Sequence, residues 1–159
     1  MELLRAGALD HVVELAAGDP RAVQFLTRRL WDADTTVAQT SAAALAALAA
    51  RDPQRGSEFI RRWIWALNDE SATNAGPALL GLAAMAERAP EVLRPFAGAV
   101  VPLLADENLA AEAATVLERL VVSLPAVAAD IGDDVMALLP GLPAPLARRL
   151  RQALGREGA

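Results

Sequence analysis

Residues 32–53 read DADTTVAQTSAAALAALAARDP, an alanine-rich run that ends on a proline. That proline recurs, and each time apolar residues stand eight and five positions before it. The four sets are Val12, Leu15 and Pro20; Leu45, Leu48 and Pro53; Leu82, Met85 and Pro90; and Leu117, Leu120 and Pro125. The prolines are 33, 37 and 35 residues apart, a period typical of helical-hairpin repeat proteins.

Composition indicates the same all-α class. Apolar residues make up 54% of the 159 residues and aromatic residues only 4%, so the apolar content is mostly aliphatic. Alanine and leucine are strong helix formers, and small alanines let helices approach closely. The chain is long enough for one domain, and we expect residues 1–159 to form a single repeat domain.

Each repeat is expected to contain two helices, because the proline cannot continue the first helix and restricts the residue before it. The predicted pairs are about 7–18 with 21–31, 36–51 with 54–67, 72–88 with 91–104, and 108–123 with 126–139. The repeat units are therefore 7–31, 36–67, 72–104 and 108–139, and a last helix at 143–155 is predicted to cap them.

The turns between units share short acidic or amide side chains, which accept hydrogen bonds from free N–H groups at a helix start. The predicted capping residues are Asp32 or Asp34, Asn68 or Ser71, and Asp106 or Asn108. The same side chains could form a functional acidic edge, but capping explains them with fewer assumptions.

An apolar helix, a short Asp-containing turn and an Ala-rich helix together resemble a HEAT repeat, the two-helix unit of right-handed α-α superhelices. The resemblance covers about residues 7–139, and it implies an armadillo-like α-solenoid. It departs from the family at Ala38, Asn74 and Ala111, where HEAT repeats commonly carry an arginine that pairs with a turn aspartate. The segment RRWIWALNDESATNAGPALLGLAAMAE, residues 61–87, is also similar to a group of bacterial HEAT-like proteins without an established function.

The helix at 54–67 has two different faces on a helical wheel. The arc of Phe59, Ile60, Trp63, Ile64 and Leu67 is predicted to be core, and Glu58, Arg61, Arg62 and Trp65 lie opposite. Two interpretations of Trp65 stay open. It packs on a neighbouring second helix under a stacked arginine, or it belongs to a recognition surface, where Trp and Arg are enriched. Trp31 is expected to join Trp63 or Trp65 in a packed cluster.

Gly76-Pro77 interrupts the predicted helix at 72–88. Proline inside a helix costs about 3 kcal/mol, so either the helix kinks or Pro77 begins it after an irregular turn at 71–76. The second alternative exposes a dense polar cluster beside Trp65. The predicted partner-binding residues are Arg61, Arg62, Trp65, Asn68, Asp69, Glu70 and Ser71.

Catalytic and metal chemistry is not indicated. The chain has no cysteine and one histidine, His11, predicted to lie on the surface, and it carries no nucleotide-binding or nucleophile-elbow motif. The adjacent pairs Asp69-Glu70 and Asp133-Asp134 are most simply helix caps or solvated residues. We therefore predict a protein that is not an enzyme and uses no cofactor or metal.

Charge bears on the kind of partner. All 15 basic residues are arginine, and 20 acids leave a net charge of −5, which disfavours a nucleic-acid binder. Arg148, Arg149, Arg151 and Arg156 make the last helix locally basic, around a predicted apolar stripe of Leu146, Leu150 and Leu154. The sequence has no uninterrupted run of 18 apolar residues, so we expect no membrane-spanning helix. The N-terminal residues lack a cationic leader, so we expect no signal peptide there.

We therefore expect a cytoplasmic protein-interaction or scaffold module, a monomer or weak homo-oligomer, that binds a protein partner through a surface formed mainly by second helices. Two alternatives stay open. One is a nucleic-acid-binding protein with a groove like that of HEAT-like DNA glycosylases. The other is an accessory or chaperone-like subunit of an enzyme system, similar to the HEAT-like lyases that attach chromophores.

Overall fold

The computed structural model describes residues 1–67 and 75–156, and all regular structure in these two ranges is helical. The α-helices are α1 (Glu2–Arg5), α2 (Leu9–Ala17), α3 (Pro20–Arg29), α4 (Thr35–Arg51), α5 (Pro53–Leu67), α6 (Ala75–Arg88), α7 (Pro90–Leu93), α8 (Ala97–Val100), α9 (Ala110–Ser123), α10 (Val127–Leu138) and α11 (Ala144–Ala153). Short 3₁₀ turns occupy Arg94–Phe96, Val101–Ala105 and Leu139–Gly141. The predicted all-α class is confirmed.

Proline and aspartate set several of the helix starts. Pro20, Pro53 and Pro90 are each the first residue of a helix, where the missing N–H costs nothing. The Asp34 carboxylate accepts a hydrogen bond from the Thr36 N–H at 2.9 Å, which confirms it as the cap of α4. Asp32 accepts the N–H of Asp34 instead, one step earlier in the same turn.

The predicted cap of the fourth unit is wrong. Helix α9 begins at Ala110, its N-cap is Leu109, and no side chain caps it. The Asp106 carboxylate accepts the Asn108 N–H at 2.8 Å within the preceding turn. Its own carbonyl accepts the N–H of Ala110, so the backbone of the turn takes over part of the capping.

The single helix predicted at 91–104 is also wrong. This segment is divided into α7, a 3₁₀ turn, α8 and a second 3₁₀ turn. Pro95 and Pro102 stand at the second residue of the two 3₁₀ turns. Each proline lacks the N–H for an α-helical bond and clashes with the turn before it, so the chain tightens at both points.

Helices pack in hairpins and also along the chain. Helix α2 packs on α3, α4 on α5 and α6 on α7, and α4, α6, α9 and α11 contact one another in sequence. The buried apolar side chains form one cluster that extends from Leu4 to Leu150. In α4, Ala44, Leu45 and Ala46 are fully buried, because small side chains allow contact with helices on several sides.

The residues of the recurring pattern are core residues, with one exception. Leu48, Met85 and Leu120 are at most 3% exposed, whereas the equivalent Leu15 is 66% exposed. Helix α1 has only four residues and covers this side of α2 incompletely, leaving a small apolar groove.

Ion pairs join neighbouring first helices. Arg51 of α4 pairs with Glu14 of α2 at 2.7 Å, and Arg119 of α9 pairs with Glu87 of α6 at 3.0 Å. Arg149 of α11 pairs with Glu118 of α9. We call these three pairs the inter-helix ladder. Ala38 and Ala111, the described positions at which the HEAT arginine is missing, take no part in it.

The break at Gly76-Pro77 falls at the beginning of α6, where Pro77 is the third residue of the helix as described. Residues 71–74, which the irregular-turn alternative also involves, lie outside the described residues. At the other end of the chain, Leu146 and Leu150 of α11 are buried and Leu154 is half-buried, as the apolar stripe predicts.

Across the two described ranges, the search for a helix both long and apolar enough to cross a membrane found none.

Candidate protein-interaction surface

Helix α5 is held in the structure by one face. Phe59, Ile60 and Trp63 are at most 6% exposed, as the helical wheel predicts, while Ile64 and Leu67 are half-buried against the same core. The rings of Phe59 and Trp63 stack with their centroids 6.1 Å apart. Trp63 also lies against Gly81 of α6, where an added Cβ would come within 2.9 Å of its ring. Glycine at this position makes room for the indole.

The other face of α5 is open to solvent. Trp65 is 75% exposed, and Arg61 and Arg62 beside it are exposed as well. The interpretation that Trp65 packs on a neighbouring second helix is therefore wrong. Trp65 follows Trp63 by two helical residues, so its side chain is rotated by about 200° from the arc through which α5 contacts α4, α6 and α7. The Arg61 guanidinium extends toward the next unit and lies 5.8 Å from the centre of the Phe96 ring.

The remaining predicted residues are described only in part. Asn68, Asp69, Glu70 and Ser71 lie outside the described residues, so the polar rim beside Trp65 stays a prediction. Trp31 is 43% exposed at the end of α3. Its grouping with Trp63 or Trp65 also stays a prediction.

A groove between α3 and α5 was missed by the sequence reasoning. Its volume is about 590 Å³. The residues that line it are, from α3, Pro20, Arg21, Val23, Gln24, Thr27 and Arg28, and, from α5, Arg55, Glu58, Phe59 and Arg62. We call these ten residues the α3–α5 groove. Both helices pack on α4, and the groove lies between them.

The arginines of this groove have no acidic partner. Within residues 1–67 and 75–156, Arg21, Arg28, Arg55 and Arg62 form no ion pair, although seven other arginines do. A sequence signal for this exists. Helices α3 and α5 carry six arginines and a single acid, Glu58, whereas α10 carries three aspartates and no basic residue. Counting charge helix by helix would have found the groove, which the net charge of −5 conceals.

Arg62 connects the two features. It lines the α3–α5 groove and lies three residues before Trp65 on the same helical face. The groove and the exposed indole therefore form one continuous surface on second helices. Its chemistry is cationic and aromatic at the rim, and apolar where Val23 and Phe59 form the floor.

The other large cavity has different chemistry. About 630 Å³ lies between α9, α11 and the 3₁₀ turns, and Glu107 is the only ionisable residue in its lining. Apolar side chains and backbone make up the rest, so it offers no convergent set of polar groups. Among the described residues, no cluster of three His, Cys, Asp or Glu side chains could hold a metal ion, and His11 lies exposed on α2.

Comparison of the chain with protein-family models, with curated proteins and with solved structures yields no match. The resemblance to HEAT repeats therefore rests on the residue pattern of the chain itself. Any function has to be argued from the surface described above.

Proposed function

We propose that this protein is a non-catalytic interaction module, a right-handed α-solenoid of about four HEAT-like hairpins with a C-terminal capping helix. It binds a protein partner through the face formed by its second helices. The solenoid arrangement is supported by the recurring proline and by the contacts that link α4, α6, α9 and α11 in sequence. The partner surface would include Arg61, Arg62 and Trp65, with Asn68–Ser71 as its rim.

The observation that carries this proposal is the exposure of Trp65. A tryptophan that is 75% exposed leaves a large apolar ring in water, and a binding partner would remove that ring from water. Trp and Arg are the residue types most enriched among interface hot spots, and truncating a hot spot costs at least about 2 kcal/mol of binding energy. Arg61 and Arg62 flank the ring and supply hydrogen-bond donors to the same partner.

The test compares Trp65→Ala with Val122→Ala. Val122 is 69% exposed on α9, so the control also removes an exposed apolar side chain, but on a first helix. The partner captured by the wild-type protein and identified by mass spectrometry should be lost with Trp65→Ala and kept with Val122→Ala. Both variants should unfold within a few degrees of the wild type. Equal retention of every captured protein by both variants would contradict the proposal.

Nucleic-acid binding is the second candidate, because four unpaired arginines share the α3–α5 groove. The acidic α10 and the net charge of −5 weigh against it, since a nucleic acid needs an extended basic track. A salt-dependent shift of duplex DNA that Trp65→Ala and neutralised groove arginines both abolish would favour this candidate.

A further inference from the structure

We propose that the α3–α5 groove binds an acidic, amphipathic helical segment of the protein partner, an inference that rests on the proposed function. The groove brings together four guanidinium groups that pair with no acid in the described part of the chain, those of Arg21, Arg28, Arg55 and Arg62, above an apolar floor. Carboxylates of the segment would pair with the arginines, and its apolar side chains would face Val23 and Phe59.

The dimensions of the groove suit a short helix. Helix α3 has 10 residues and is therefore about 15 Å long, which corresponds to nearly three turns of a helix lying beside it. The lining residues of α5 follow the spacing of one helical face, and they are Arg55, Glu58, Phe59 and Arg62. An amphipathic helix placed in a groove of this kind is an established mode of peptide recognition.

The charges of the groove are arranged for an anion. Arg21 and Arg28 face Arg55 and Arg62 from the opposite wall, so each positive charge raises the electrostatic potential at the others. The protein has 20 acids for 15 arginines, yet only Glu58 contributes a carboxylate to this groove. A bound carboxylate gains most here, because a guanidinium group donates two parallel hydrogen bonds, one to each carboxylate oxygen.

Two features favour an acidic protein segment over a nucleic acid. Val23 and Phe59 give the groove an apolar floor that a phosphate backbone does not use. Helix α10 carries three aspartates and no basic residue, so it does not extend a basic track, and a nucleic acid gains affinity from each further phosphate it can neutralise.

The test uses synthetic probes and the whole protein. The first probe is a peptide of about 15 residues with leucine at helical spacing and glutamate elsewhere. Its two references replace every glutamate by lysine or every leucine by serine. A short DNA duplex is the fourth probe. Affinity is measured by fluorescence anisotropy at low and at physiological salt, and amide shifts of the labelled protein locate the site.

We expect the acidic leucine peptide to bind at least about tenfold more tightly than either reference, with affinity that falls as salt rises. Amide shifts should concentrate on α3 and α5. Arg28→Gln with Arg55→Gln should weaken the complex about tenfold, because each exposed charge pair contributes up to about 1 kcal/mol. Arg88→Gln with Arg148→Gln removes two unpaired arginines outside the groove and should leave affinity within about twofold of wild type.

Equal binding of the lysine peptide, shifts outside α3 and α5, or tighter binding of the duplex would each overturn this inference. The shift map is measured on wild-type protein, so it decides the question even where a variant folds poorly. Arg55 lies nearly three helical turns before Trp65 on α5, and Arg28 lies on a different helix, α3. If their double variant retains a partner that Trp65→Ala loses, the groove inference fails while the proposed function stands. If neither change affects any partner, both fail.

Discussion

Arginine has two different environments in this molecule, the inter-helix ladder and the α3–α5 groove. In the ladder, Arg51, Arg119 and Arg149 each meet a glutamate on the neighbouring first helix. In the groove, neither Arg28 nor Arg62 forms an ion pair with a described residue, although Glu58 lies in the same lining. The residue type is the same, and the difference comes from whether a carboxylate lies within pairing distance.

The same kind of side chain therefore has two roles. In the ladder it joins neighbouring helices, and in the groove it stays available to a ligand. An exposed ion pair contributes about 0.2–1 kcal/mol, so the ladder orients neighbouring first helices while apolar burial supplies most of the stability. An arginine without a carboxylate stays hydrated and available to a ligand. Helix α5 has one face in the core and the other exposed to solvent. Substitutions on its two faces therefore test the comparison most directly.

The largest expected effect separates two tryptophans of α5. Trp63→Ala should lower the free energy of unfolding by about 3–5 kcal/mol, because it removes a buried indole that stacks on Phe59 and fills the space above Gly81. Trp65→Ala should change it by less than about 0.5 kcal/mol, because the side chain is 75% exposed. Urea unfolding followed by circular dichroism measures both values.

Partner capture provides the reciprocal measurement for the same pair. Trp65→Ala should lose the partner although its stability is unchanged. Replacing Trp63 by phenylalanine, which keeps an aromatic ring on the core face, should retain the partner. If Trp65→Ala instead lowers the free energy of unfolding by several kcal/mol, Trp65 belongs to the core, and the proposal of an exposed binding face on α5 fails.

The second effect tests how tightly the core face of α5 is fitted. Gly81→Ala places a Cβ about 2.9 Å from the Trp63 ring, whereas Gly98→Ala, in helix α8, places one in open space. Both changes replace a helical glycine by a better helix former, so the difference between them reports mainly on the clash. We expect Gly81→Ala to be less stable than Gly98→Ala by about 1–3 kcal/mol. Equal unfolding midpoints would mean that Trp63 moves aside without cost.

The sequence predicted the positions of the helices better than the way they pack around one another. The proline period placed α2 to α6, α9 and α10 within a few residues, because the effect of proline on the backbone is local. The wheel of α5 separated Phe59 and Trp63 from Trp65. It left open whether Trp65 is covered, since that depends on where α7 lies. The α3–α5 groove escaped notice because its two walls are 34 positions apart, from Arg21 to Arg55.

Adding a carboxylate to the groove should let its arginines form ion pairs, as the arginines of the inter-helix ladder do. Gln24 lies on α3 in the groove lining, three residues after Arg21 and four before Arg28. Gln24→Glu should raise the free energy of unfolding by about 0.2–1 kcal/mol and weaken the acidic peptide at least as much as neutralising one groove arginine. Urea unfolding and peptide anisotropy on the same sample measure the two effects together.

Two control substitutions help to interpret the effect of Gln24→Glu. Gln39→Glu adds the same charge on an exposed position of α4 and should affect neither quantity. Glu118→Gln removes the ladder partner of Arg149, and should lose about 0.2–1 kcal/mol in a way that high salt suppresses. A gain in stability with Gln39→Glu equal to that with Gln24→Glu would point to a general charge effect, and the groove arginines would then be no different from others.

The smallest effect separates neighbouring arginines of α3. Arg29 pairs with Asp32 at 3.0 Å, while Arg28 points into the groove. The Asp34 N–H, and then the Arg29 guanidinium, hold the pKa of Asp32 below its usual value. A lowered pKa in the folded state means that this contribution is complete above the unfolded pKa of about 3.9 and is lost as pH falls through the folded value. Asp32→Asn should therefore be less stable than wild type at neutral pH, with a difference that shrinks only below about pH 4 in urea unfolding. For Arg28→Gln we expect no such acid-dependent difference, and a matching one would show that Arg28 has a carboxylate partner in solution.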